Sequence, residues 1–238
     1  MGHTRVEICA NGLESALTAQ KGGADRIELC RSLELDGLTP NPRTIRAVIE
    51  KLQIPVHLLI RPRDGDFIYT DKEIKTIIGQ IAMAQDTGCA GVVCGALNSK
   101  NEIDLEVTRK LLQAAGNLHF TFHRAFDQIS DQASALEQLI DLGVKRVLTS
   151  GGELSALKGI KSLSRLLKQA NGRIEIMPGA GINSSNVNQF LEAGFKSIHL
   201  SASLNKGSGQ SGSPRTQLAE VRAVVEKVRA FNSTLKKG

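Results

Sequence analysis

The chain has 238 residues, 41% of them hydrophobic and 23% charged, with 3% aromatic residues and no tryptophan. That length holds one large α/β domain or two small ones. The composition excludes a low-complexity chain, and the scarcity of aromatics argues against stacking platforms for single-stranded nucleic acid. The net charge is +6, but residues 215–238 carry six Lys or Arg against two Glu, so the body is nearly neutral and has no basic motif suited to nucleic acid.

In chain order, short β-branched runs open near Arg5, Arg26, Val56, Gly91, Leu118, Arg146, Arg173 and Ser197, each followed by a stretch of helical spacing. Eight strand–helix units at intervals of 21 to 35 residues leave no room for a second domain. Glycines at 22/23, 88, 116, 143, 172 and 194 precede six of the strands, where a helix can stop at positive φ. Pro55 ends the helix before the third. Asn11 with Glu14, and Thr70 with Glu73, have capping-box spacing.

Doubly wound sheets bury both faces of their strands and read as continuous apolar runs. Here Arg5, Glu7 and Cys9 alternate with Val6 and Ile8, Arg26, Glu28 and Cys30 with Ile27 and Leu29, and His57 and Arg61 with Leu58 and Ile60. Thr121 and His123, Arg173 and Glu175, and Ser197, His199 and Ser201 repeat the pattern. One face of each strand meets helices, so the polar face points into a closed barrel. The expectation is a single (β/α)8 TIM-type barrel over residues 1–238, with 204–214 a flexible linker to a basic C-terminal helix. Its interior is expected to set Arg5, Arg26, Arg61 and Arg173 against Glu7, Glu28 and Glu175.

No apolar run reaches the roughly 18 residues that span a membrane, and no apolar leader opens the chain. Cysteines at 9, 30, 89 and 94 form neither a disulfide framework nor a CxxC pair, which implies reduced thiols and a cytoplasmic setting.

Seven segments then carry a resemblance. They are Asp25-Arg26-Ile27-Glu28-Leu29-Cys30, Gly37-Leu38-Thr39-Pro40, Ile60-Arg61-Pro62-Arg63, Thr121-Phe122-His123-Arg124-Ala125-Phe126-Asp127, Leu148-Thr149-Ser150-Gly151-Gly152, Ile176-Met177-Pro178-Gly179 and His199-Leu200-Ser201-Ala202. From about Val6 to Ser203 the chain resembles the CutC copper-homeostasis family. That resemblance implies a TIM-type barrel, a cytoplasmic homo-oligomer and a role with copper. Asp36, Cys94 and Ala180 depart from the family pattern, standing where glycine, an aromatic residue and glycine are expected.

Barrels of this class place their chemistry at the C-terminal ends of the strands. Cys9 and Cys30 close two neighbouring strands at inward positions, which are read as level, and a thiolate pair there suits Cu(I). The bland alternative is two small buried hydrophobes. His123 and Glu28 are candidate acid–base groups, and Arg61 joins them at the catalytic site as part of an anion clamp with the loops after strands six to eight, although Glu28 can equally neutralise Arg26 or Arg61. Arg63, Thr149, Ser150, Gly151, Gly152, Gly179, Gly181 and Ser201 lie on strand-end loops that can receive an anion, with a helix opening near Ser184 or Ser185 aimed at it. Two functions follow as expectations: a Cu(I)-binding protein of copper homeostasis, or a barrel enzyme using acid–base chemistry on a small anionic or phosphorylated metabolite.

Overall fold

Alternation along each strand decides which side chains enter the barrel. In the computed structural model, which describes residues 3–203 and 215–235, the strands are β1 (Arg5–Ala10), β2 (Arg26–Leu29), β3 (Val56–Leu59), β4 (Gly91–Cys94), β5 (His119–Phe122), β6 (Arg146–Thr149), β7 (Glu175–Pro178) and β8 (Ser197–Leu200). All ladders are parallel, in the order β7-β6-β5-β4-β3-β2-β1-β8. β8 lies against β7 without a ladder between them, so the (β/α)8 TIM barrel is nearly closed. Around it run α1 (Leu13–Gly22), α2 (Pro42–Lys51), α3 (Asp71–Asp86), α4 (Leu105–Ala115), α5 (Gln132–Asp141), α6 (Ile160–Ala170), α7 (Val187–Glu192) and α8 (Leu218–Leu235). The expected linker at 204–214 lies outside the described residues. Among those described, no helix is long and apolar enough to cross a membrane.

The main core lies between the strands and the helices. Val6, Ile8, Ile27, Leu29, Leu58, Val92, Phe120, Val147, Ile176 and Ile198 point outward into it, as period-two alternation requires. A smaller apolar cluster of Cys9, Cys30, Leu59 and Val93 lies apart from that layer, with Leu33 packed against it.

The joints follow the glycine pattern. Gly23, Gly88, Gly116, Gly143, Gly172 and Gly194 all adopt positive φ; at Gly23 the cap amide closes α1 on Ala19 and Gln20. Thr70 and Glu73 form the expected capping box on α3. The Asn11–Glu14 pair does not: Gly12 is the N-cap of α1, without a side-chain cap, and Asn11 Oδ1 accepts from Ser15 Oγ at 2.6 Å. Asp36 (φ 61°) and Ala180 (φ 80°) hold left-handed backbone, which costs a residue with a Cβ more than glycine.

Inside the barrel the charges differ from the expected set. Strand β7 opens at Glu175, two residues later than expected, so Arg173 precedes it and reaches the surface to pair with Glu137 at 2.7 Å. Arg5 is likewise exposed. The missing interior cation is Arg146, 1% exposed, whose guanidinium lies 3.1 Å from Glu175. Arg26 ion-pairs with Glu7. Across this layer the rings of His57 and His119 stack 5.3 Å apart, and Gly91 between them in register must lack a side chain. A Cβ there would approach the His119 carbonyl oxygen to 2.6 Å and the His57 ring to 2.9 Å.

Candidate functional site

Above the charged layer the barrel opens into a cavity of about 650 Å³ at the C-terminal ends of the strands. Cys9, Glu28, Arg61, His123, His199 and Ser201 all line it, as do the strand-seven loop residues Ala180 and Gly181. Register places Cys9 opposite Glu28 rather than opposite Cys30, so the two cysteines are staggered by one inward step instead of level. Their sulfurs nevertheless approach to 3.5 Å. Cys9 Sγ is also 3.7 Å from Glu28 Oε1, and one donor atom each from Cys9, Glu28 and His199 falls within 4.8 Å of the others. The other two cysteines are elsewhere: Cys94 ends β4 facing the outer helix layer, and Cys89 lies beside Thr87 in the joint before that strand.

Electrostatics divide these groups. Burial opposes the Glu7 carboxylate, but Arg26, a hydrogen bond from His199 and the His57 ring hold it well below the usual range. His199 Nδ1 meets Glu7 Oε1 at 2.8 Å. Burial disfavours the His199 cation too, yet Glu28, Cys9 and Glu7 together lift its pKa well above 6.5. The Cys9 thiol is raised by its hydrogen bond with Cys30 and by burial, against a lowering bond from His199.

Glu28 lacks the cation that sequence reasoning gave it. Arg26 is taken by Glu7, and Arg61 donates to the carbonyls of Leu35, Gly37 and Gly65. Glu28 Oε2 is buried with no hydrogen-bond partner, and burial, only partly offset by His199, raises its pKa to about 7.

His123, the other acid–base candidate, lies buried at the cavity wall. Burial, and then the Arg61 charge, lower its pKa to about 3, which keeps the imidazole neutral at physiological pH. Its Nδ1 accepts the Ala125 N–H at 3.3 Å.

Four of the loop amides expected to cradle an anion, those of Ser150, Gly151, Gly152 and Gly179, are in use. Ser150 and Gly152 donate to Asp127 at 2.9 and 3.2 Å, Gly151 to Thr149 Oγ1 at 2.8 Å, and Gly179 to the Thr149 carbonyl at 3.0 Å. Asp127, which sequence reasoning missed, thus stands where an external anion was expected. Helix α7 opens only at Val187, and Ser184 donates its N–H to Glu220 at 2.6 Å. Arg63 is spent on Glu73 and Asp66 over the Tyr69 ring. Ser201 shares a 2.8 Å hydrogen bond with Ser203.

Comparison with known proteins identifies the kin of this barrel. Residues 4–204 match the model of the CutC family. A protein of Glaesserella parasuis called family protein CutC is 48% identical over 208 residues, covering 87% of this chain and 84% of the relative. A human protein called copper homeostasis protein cutC homolog is 45% identical over 205 residues, 86% of this chain and 75% of the relative. Among solved structures, the CutC protein of Streptococcus agalactiae superposes with a TM-score of 0.79 at 35% identity, covering 83% of this chain and 98% of that one.

Proposed function

The chain belongs to the CutC family, and from that premise we propose that it is a cytoplasmic copper-homeostasis protein, working as a homo-oligomer, that binds one Cu(I) ion between Cys9 and Cys30. The observation that carries this reading is the 3.5 Å approach of the two sulfurs at the mouth. Both thiols are buried and free of disulfides. Cu(I) is soft, prefers thiolates and tolerates two or three ligands. The donor set also fits by charge. Glu28 has an oxygen without a partner, and the His199 cation favours the thiolate of Cys9 through their hydrogen bond. Leu59 and Val93 pack against the pair, and Cys30 is fully buried while Cys9 faces the cavity. The names of the human relative and of the Streptococcus agalactiae structure support the copper role at the level of the family.

Anaerobic titration of Cu(I) against a competing chelator tests the proposal. About one equivalent should bind, and Cys9→Ser or Cys30→Ser should each abolish binding, while Cys89→Ser and Cys94→Ser leave it intact. Unchanged affinity in the Cys9→Ser/Cys30→Ser double variant would overturn the reading.

A further inference from the structure

Beyond the end of β3, beside the cysteine strands, the same cavity holds a cation with no acid beside it. Arg61 is 5% exposed, and all three hydrogen bonds of its side chain go to neutral carbonyls, those of Leu35, Gly37 and Gly65. Among the described residues no carboxylate lies within ion-pair distance of it, and its Nε–H has no partner. A buried charge is costly unless paired. The ring of Phe67 lies 5.0 Å from this guanidinium and 4.7 Å from the ring of His123, so one aromatic side chain joins the two polar groups. Because His123 Nδ1 accepts from Ala125, its proton resides on Nε2, and that N–H is also buried without a partner. Arg61, Phe67 and His123 all line the cavity, with Leu33, Leu59 and Leu148 supplying apolar wall.

We propose that this end of the cavity binds a small organic monocarboxylate, its oxygens taken by Arg61 Nε–H and His123 Nε2–H and its carbon skeleton lying against Phe67 and the leucines. One uncompensated positive charge and two spare donors match a carboxylate monoanion. A phosphate dianion asks for more donors, and the amides of Ser150, Gly151, Gly152 and Gly179 are already bonded to Asp127 and Thr149. Asp36 and Glu153, exposed on the cavity rim, further disfavour a doubly charged ligand. The cavity volume falls within the range of small-molecule sites. The site takes its donors from the end of β3 and the turn after β5, and shares Leu33 and Leu59 with the cysteine pair, but it uses no sulfur ligand and its binding is tested without copper.

The test uses metal-free protein titrated with pyruvate, glycolate, benzoate and inorganic phosphate, followed by calorimetry and by the imidazole ¹⁵N resonances. At least one monocarboxylate should bind saturably and shift the His123 Nε2 signal, and Arg61→Gln should weaken it by about tenfold or more, the loss of a charge-assisted bond. The Cys9→Ser/Cys30→Ser variant should bind it as the parent does. If Arg61→Gln disturbs the loops that Arg61 ties together, the His123 signal of the parent protein decides. Absence of saturable binding by all three carboxylates, binding that leaves His123 Nε2 unmoved, or tighter binding of phosphate would each overturn the proposal.

Discussion

Arg146 and Arg173 carry the same side chain into opposite environments, and the difference of a few residues of strand start has a measurable consequence. Arg146 opens β6 facing inward and is the main partner of the half-buried Glu175, whereas Arg173 and Glu137 meet at the surface, with side chains 47% and 41% exposed. Breaking a buried pair strands a charge at a cost of about 3–5 kcal/mol, while an exposed pair contributes about 1 kcal/mol or less. Arg146→Ala should therefore lower the urea midpoint severely and Arg173→Ala hardly at all. Equal losses would show that the interior network does not depend on Arg146. Sequence reasoning chose Arg173 because period-two alternation runs backward from Glu175 without a break, and only the helix-to-strand joint at Gly172 shows that Arg173 precedes the strand. Cys9, Glu28 and His199, by contrast, sit well inside their alternation and were legible as inward-facing. What the sequence could not give was the stagger of Cys9 against Cys30, which comes from the β1–β2 register.

The strand-six loop shows what is not local to any element. Its chain order suggests an anion cradle, and the backbone is shaped as one, with Gly151 and Gly152 at positive φ. Yet the anion it holds is the Asp127 carboxylate from the turn after β5, which accepts from the Ser150 and Gly152 amides and from both Thr149 and Ser150 hydroxyls. A contact between side chain and backbone more than twenty residues apart leaves no periodic trace, whereas helix stops at glycine and the Thr70 capping box are local and were readable. Close packing locks the loop further, since a Cβ on Gly159 would overlap the Ser150 carbonyl oxygen at 1.8 Å. Asp127→Ala should leave the partly buried Thr149 and Ser150 donors without their acceptor, at about 1–3 kcal/mol, and release the exposed Gly152 amide to water. Amide exchange at Ser150 and Gly152 should accelerate by about tenfold or more, while amides of β1 to β3 keep their protection. If exchange at 150 and 152 is unchanged, the carboxylate is not what orders the loop.

At the scale of the molecule, a barrel whose polar face is turned inward has to bury histidines, and that sets its response to acid. Burial lowers His57 to about 3, His119 to about 4 and His123 to about 3, with neighbouring arginines adding to the effect at His119 and His123. A histidine with a depressed folded pKa contributes stability that is fully present above its unfolded value of about 6.5 and is lost as pH falls toward the folded value. Glu28 acts in the opposite sense. Its pKa is raised to about 7 by burial, so its stabilising contribution is complete below the unfolded value of about 4.3 and fades as pH rises through 7. His199, raised well above 6.5, is protonated in both folded and unfolded chains under mildly acidic conditions and adds no slope there. Near pH 5.5 the three histidines each take up about one proton on unfolding and Glu28 releases about one, leaving a net uptake of about two. Stability should therefore peak close to neutral pH and decline on acidification before the surface carboxylates, lowered by their own ion pairs, begin to titrate. Calorimetric unfolding of the metal-free protein in buffers of different ionisation enthalpy gives the proton count directly, and His123→Gln should reduce it by about one whatever the variant does to absolute stability. A parent count near zero would mean that these rings bind protons as readily in the fold as outside it, and the barrel interior would then have to be far wetter than its side-chain burial describes.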